Sequence, residues 1–251
     1  MSKLPWATAW IIGASTGMGA EAAKQLAAAG IEVTASARSA DKLEAMAKEY
    51  DTMRVLPLDM ADPDQCQAAV ASFETLPDLV ILNAAIYEPM AVKNYNAAKA
   101  NEMMAVNYGG VCNLLEHIMP VMTERKAGHI AIVASINGFV GLPISAAYGP
   151  TKAALHNLAE SIEAELTLAS VKLSVVNPGF IKTPLTAKNK FQMPQLLTAD
   201  DAASRMIKGL AKQRYEVIFP YPFAGIVKLL GDLPRGVLFW MNRKAARQLK
   251  L

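Results

Sequence analysis

Two chemistries compete for one stretch near the start of the chain, Gly13-Ala14-Ser15-Thr16-Gly17-Met18-Gly19. Its first five residues fit the G-x-S-x-G turn that lifts a serine nucleophile above a sheet. Gly13, Gly17 and Gly19 also form a glycine-rich turn able to wrap the pyrophosphate of a dinucleotide. The serine hydrolase would need an acid and then a histidine later in the chain, in that order. His156 is the last histidine, it falls inside a predicted helix, and none stands near the C-terminal end. That removes the partner Ser15 would need. In the other reading Ser15 and Thr16 are small residues of a phosphate cradle, which lets helix N-terminal amides approach an anion.

A cradle of this kind makes a second demand. The end of the following strand must meet the adenosine ribose, with an acid for the 2′-hydroxyl of NAD or a base for the 2′-phosphate of NADP. That strand ends Ala35-Ser36-Ala37-Arg38-Ser39. Ala37 offers no carboxylate and Arg38 follows it. A charge-assisted contact from an arginine fork is worth about 1.5–3 kcal/mol, a tenfold to hundredfold preference. The expected cofactor is therefore NADP(H), with NAD(H) as the second choice.

Elements must hold these residues in place, and the hydrophobic pattern supplies them. Apolar runs at 7–12, 31–37, 53–58, 79–82, 129–134, 172–176 and 216–219 read as strands. Helix-period segments at 17–29, 40–49, 63–73, 101–122, 146–168 and 199–212 alternate with them. Gly30 reads as a C-cap and Asp62 as an N-cap. Repeated β-α units without a linker predict an α/β, Rossmann-like, doubly wound parallel sheet as a single domain. Residues 1–220 form its dinucleotide-binding and catalytic part, and 221–251 a C-terminal helical extension of the same domain.

Composition agrees with that class. Of 251 residues, 53% are hydrophobic and 19% charged, as suits strands buried on both faces. A net charge of +3 without a basic block does not indicate nucleic acid. The cysteines, Cys66 and Cys112, have no metal or redox spacing, and His117, His129 and His156 fall in no ligand pattern. No metal is expected, and the two thiols read as reduced in a cytoplasmic protein. No stretch reaches the roughly 18 apolar residues of a membrane span.

At Tyr148-Gly-Pro-Thr-Lys152 the chain resembles the short-chain dehydrogenase/reductases over about residues 7–220. The match combines Gly13-x-x-x-Gly17-x-Gly19, Asp59 in Leu58-Asp59-Met60, and Leu82-Asn83-Ala84-Ala85-Ile86 in place of an Asn-Asn-Ala-Gly segment. It extends to Asn177-Pro-Gly-Phe-Ile-Lys-Thr183. The resemblance implies a catalytic tetrad of Asn107, Ser135, Tyr148 and Lys152. It also implies an NAD(P)-dependent oxidoreductase acting on a small-molecule carbonyl or alcohol, a carbonyl reductase in the reductive direction. Tyr148 would exchange a proton with the substrate oxygen, and Ser135 would orient the carbonyl. Lys152 would lower the phenol pKa and bond the nicotinamide ribose, and Asn107 would hold a water linking Lys152 to solvent. Tyr148 and Lys152, four apart, share one helix face. With the turn and strand ends, the expected cofactor contacts are Gly13, Ser15, Thr16, Gly17, Met18, Gly19, Arg38, Ser39, Asp59, Met60, Asn83, Ala84, Ala85, Tyr148, Lys152, Pro178, Gly179, Ile181 and Thr183. Asp59 would contact adenine, and the Pro178-Gly179 loop would lie beside the nicotinamide.

The sequence departs from the family pattern at Ala85, where glycine is usual, at Leu82 in place of the first asparagine, and at Ile12, where threonine is common. A methyl at 85 could crowd the ribose. Residues 184–197 read as a flexible lid, with Phe191, Met193, Leu196 and Leu197 beside Lys188 and Lys190. The basic, apolar tail after Pro220 reads as a helical cap over the cleft or at a subunit interface, with a membrane surface as the second reading. By analogy the protein is a homo-oligomer. The alternative function is a non-catalytic dinucleotide-binding regulator or scaffold on the same fold.

Overall fold

Each apolar run offers side chains alternately to two faces, so a strand made from it needs cover on both. The computed structural model describes residues 4–189 and 191–249 and shows that arrangement. Strands β1 (Thr8–Ile12), β2 (Glu32–Ser36), β3 (Met53–Val55), β4 (Leu79–Leu82), β5 (His129–Val133), β6 (Lys172–Pro178) and β7 (Glu216–Phe219) form one parallel sheet. Their order is β3-β2-β1-β4-β5-β6-β7. The order reverses between β1 and β4, whose register pairs Trp10 with Val80 and Ile12 with Leu82. A ligand crevice is expected beyond the C-terminal ends of the strands at such a reversal.

Two cores follow from the alternation. Ala9, Ile11, Val33, Ala35 and Ile81 face helices α1 (Gly17–Ala28), α2 (Ala40–Ala47) and α7 (Ala199–Leu210), burying Leu26, Leu43 and Met206. Trp10, Ile12, Val80 and Leu82 face α3 (Pro63–Ala71), α5 (Gly110–Arg125) and α6 (Tyr148–Leu168), burying Val70, Leu114 and Leu155. Helices α8 (Phe223–Gly231) and α9 (Arg235–Gln248) place Ala224, Val227 and Leu238 against Ile136 and Val140.

The helix ends follow local chemistry. Gly30 has φ +83°, its N–H donates to Ala27 O, and Ile31 N–H donates to Leu26 O. That pair of bonds is a Schellman ending, and it returns the chain into β2. The Asp62 carboxylate accepts from the N–H groups of Asp64 and Gln65 at 3.0 and 3.1 Å, capping α3.

The predicted helix at 101–122 runs longer. It comprises α4 (Ala97–Met104), a π-helical turn (Ala105–Gly109) and α5. The π turn holds Asn107. Helical pattern cannot register such an insertion, because the apolar faces before and after it both remain amphipathic. The third strand is shorter than the apolar run 53–58, and Leu56 and Leu58 donate their N–H groups to Ala35 O and Ala37 O beyond its end.

One buried bond ties the sheet to the crevice. The Trp10 indole N–H donates to Ser36 Oγ at 2.8 Å, and both side chains lie in the core. Ser36→Ala leaves the indole N–H without an acceptor, which costs about 1–3 kcal/mol. Urea denaturation should show a loss of that size.

Candidate active site

The glycine turn after β1 is held from two sides. Gly13 and Ala14 donate their N–H groups to Ser36 O at 2.7 and 3.0 Å, and Asn83 Nδ2 donates to Gly13 O at 3.0 Å. Gly13 has φ +89°, and a Cβ on it would stand 2.6 Å from the Ala84 backbone. A Cβ on Gly19 would stand 2.2 Å from Gly13 O. These glycines exist so that β1, β4 and α1 can approach.

Helices α3, α4 and α7 are capped by the side chains of Asp62, Asn96 and Thr198. Thr16 makes no such bond on α1, and the first turn of α1 carries no acid. The α1 N-terminus therefore presents amides with a positive dipole end and no competing carboxylate, which fits a bound pyrophosphate.

That turn opens on a cavity of about 350 Å³. At one end lie Arg38, Ser39, Asp59 and Met60. Arg38 is exposed and has no ion pair among the described residues, so its guanidinium is available to a phosphate. Asp59 is partly committed to its own turn, accepting from Ala61 N–H at 3.0 Å. Met60 is buried against Gly110, where a Cβ would stand 2.7 Å from its thioether carbons. Asn83, Ala84 and Ala85 form the floor. Ala85 is not among the residues with positive φ, so alanine sits there without backbone strain.

The reactive end is built from β5, α6 and the loop after β6. Ser135 leaves β5, and its Oγ accepts from Asn137 N–H at 3.1 Å. Tyr148 opens α6, with Lys152 one turn on. Lys152 is 1% exposed, its Nζ donates to Val133 O at 2.8 Å, and it lies 5.7 Å from the Tyr148 ring centroid. Pro178, Gly179, Ile181 and Thr183 close this end. The Thr183 methyl reaches back to within 2.9 Å of where a Gly17 Cβ would stand, so the loop meets the glycine turn.

Among the predicted site residues, Gly19 and Asn107 do not line the cavity. Gly19 lies beneath the turn. Asn107 is fully buried behind it, where Oδ1 accepts from Ile86 N–H at 2.7 Å. Its Nδ2 donates to Ile86 O at 2.9 Å and to Thr151 Oγ1 at 3.1 Å. Asn107 thus clasps a cavity-lining residue to the helix that carries Lys152. No histidine is among the described residues lining the cavity, so Ser15 lacks there the histidine a hydrolase triad needs.

Burial dominates the titrations. It pushes the Tyr148 phenol well above its ordinary value, with Ser135 pulling it back and Tyr87 adding to the rise. It drives Lys152 down to about 7. The expected lowering of the phenol pKa rests on Lys152 together with the positive nicotinamide, and burial acts against it in the chain alone. Burial drives each group toward its neutral form.

Sequence reasoning missed Tyr87, Asn137 and Asn189. The Tyr87 ring packs edge-on to Tyr148 at 5.0 Å, and its hydroxyl donates to Asn189 Oδ1 at 2.7 Å. Burial raises Tyr87 to about 12, so it stays protonated as a donor. Its only sequence signal is its place shortly after β4.

The segment 184–197 also differs from expectation. Its contacts with the cavity come from Pro184, Leu185, Thr186 and Asn189. Leu197 instead bridges Ile181 and packs on the core, Leu196 is exposed, and Phe191 stacks edge-on to Phe180 at 5.7 Å. Lys190, counted with this segment, lies outside the described residues, as does Lys250 of the tail.

Residues 7–193 match the family model of the short chain dehydrogenases. An uncharacterized oxidoreductase of Myxococcus xanthus is 32% identical over the whole of both chains. Among solved structures, a short chain dehydrogenase from Burkholderia cenocepacia in complex with NADP is 24% identical. It superposes with a TM-score of 0.82, covering 92% of this chain and 95% of that one. A short chain dehydrogenase/reductase from Burkholderia phymatum in complex with NAD is 21% identical at a TM-score of 0.80, with the same coverage.

The Lys152 shift carries a sign. An amine titrating near 7 when folded and near 10.4 when unfolded is protonated only in the unfolded chain between those values. Its contribution to stability therefore rises with pH across that window, by up to about 1.4 kcal/mol per pH unit. Lys152→Met should remove this slope. The difference between wild-type and variant unfolding free energies at pH 7 and pH 9 measures it.

Proposed function

The chain belongs to the short-chain dehydrogenase family and is an oxidoreductase, and from that premise we propose an NADP(H)-preferring carbonyl reductase or alcohol dehydrogenase with Tyr148 as its acid/base. One observation carries the reading. A single cavity runs from an unpaired arginine, past an uncapped helix N-terminus, to a serine, a tyrosine and a lysine. Arg38 receives the 2′-phosphate, the α1 amides receive the pyrophosphate, and Pro178, Gly179, Ile181 and Thr183 border the nicotinamide end. Nicotinamide dinucleotide supplies the hydride.

Tyr148 holds the transferable proton at its hydroxyl. Burial keeps that proton on the phenol, so the hydroxyl is present as a donor to a carbonyl oxygen as charge develops there, and the reverse transfer serves alcohol oxidation. Ser135 orients the oxygen and shares the developing charge. Lys152, fixed to Val133 O, bonds the ribose with its remaining N–H groups. Asn107 keeps Ile86 and α6 at a set separation. Tyr87 and Asn189 flank the substrate side and supply polar contacts beside the Tyr148 ring.

The same reading takes 1–220 as the catalytic part and 221–251 as its helical extension, supported by the packing of α8 and α9 on Ile136 and Val140. It includes a homo-oligomer, for which exposed Leu168 on α6 and Val121 on α5 offer apolar surface. No helix among the described residues is long and apolar enough to cross a membrane, which is compatible with a cytoplasmic place.

Replacing Tyr148 by Phe should lower turnover on a carbonyl panel about 10²–10⁴-fold while leaving NADPH binding intact. Turnover that survives the change would identify another proton donor. Arg38→Ala should weaken NADPH about tenfold to hundredfold and leave NADH nearly unchanged. Nicotinamide fluorescence titration reads both, and equal effects on the two cofactors would refute the assignment of Arg38.

A further inference from the structure

A second groove, of about 760 Å³, lies between α9 and the loops at 90–93 and 141–146. It shares no lining residue with the redox cavity. Its walls are apolar, with Leu142, Pro143, Ile144 and Phe239 prominent, and its charged lining residues are Lys93 and Arg243. Neither cation has an ion pair among the described residues, and α9 contains no acid. Val92 is 91% exposed and Phe239 54%, an apolar surface left to water.

The groove is also held in shape. Asn242 Nδ2 donates to Gly141 O at 2.8 Å, fixing α9 to the loop. Met90 N–H donates to Ile144 O at 2.8 Å. Ile144 itself has φ +57°, an unfavourable conformation for a β-branched residue. Strain of that kind persists where the surroundings enforce it, and it concentrates at ligand clamps. The volume falls in the range of about 300–1,000 Å³ usual for small-ligand sites.

We propose that this groove binds a long-chain carboxylate, with the alkyl chain on Leu142, Ile144 and Phe239 and the head group paired with Lys93 and Arg243. The ligand sits outside the redox cavity and needs no dinucleotide. The complementarity is specific to an anionic amphiphile, because an apolar wall alone would accept a neutral chain equally and the two unpaired cations would remain unused.

Fluorescence titration of the full chain with cis-parinaric acid tests this. Saturable one-site binding is expected, unchanged by excess NADP⁺. The exposed double variant Lys93→Glu/Arg243→Glu should bind the acid at least tenfold more weakly yet bind its methyl ester within about twofold of wild type. No saturable binding, displacement by NADP⁺, or an unchanged affinity in the double variant each overturns the proposal. So does co-sedimentation with phosphatidylglycerol vesicles that Trp240→Ala abolishes when the free acid does not bind. A concentration-dependent dimer broken by Val92→Lys, again without acid binding, assigns the groove to a second copy and equally overturns it.

Discussion

The structure depends on three backbones meeting at one point, where two glycines leave no Cβ in the way. Gly13 lies against Ala84, Gly19 lies against Gly13 O, and Asn83 spans from β4 to the Gly13 carbonyl. This contact fixes where α1 begins, and so where its unpaired amides point. It also fixes the gap between β1 and β4 at the reversal of strand order. A methyl at either glycine would push a strand end or a helix start outward. The placement of the α1 N-terminus is thus a consequence of close packing around two glycines, clasped by the Asn83 side chain.

The same economy governs the reactive end. Asn107 has poor helical propensity, yet it sits inside a long helix because a π turn gives its carboxamide room to bond both backbone groups of Ile86 and the Thr151 hydroxyl. Without the π turn, its side chain would point along the helix surface. The clasp links the floor loop after β4 to α6, the element bearing Tyr148 and Lys152. Two distant parts of the sequence are joined through one buried amide.

Most of the fold was legible because its signals are local. Alternating apolar strands, Gly30 after α1 and Asp62 before α3 each announce themselves within a few residues. The candidate site was legible where spacing carries meaning: Gly13 and Gly17 of the glycine turn, Arg38 at a strand end and the Tyr148–Lys152 pair line one cavity. The missed features depend on tertiary neighbours. Nothing near Tyr87 in sequence reports that it packs on Tyr148, 61 residues away on the edge-on contact pair. The apolar residues of 191–197 look like a substrate lid, but pairing of Leu197 with Ile181 turns that side chain into the core. Composition shows that a residue is apolar without showing which of two apolar environments receives it.

Burial sets a conflict at the centre of the site. The phenol is driven to hold its proton and the amine to lose one, the same low dielectric acting with opposite sign on an acid and a base. In the proposed reduction a tightly held phenol proton is tolerable, because a carbonyl oxygen becomes strongly basic as hydride adds. In the proposed oxidation the phenol would first have to release that proton, which burial opposes. The Ser135 hydroxyl is the one protein group acting against burial on Tyr148. A positive charge brought in beside the ring would favour phenolate, whereas a neutral reduced cofactor would leave the phenol protonated. Burial therefore leaves the phenol in its protonated form, and phenolate requires a positive charge close to the ring.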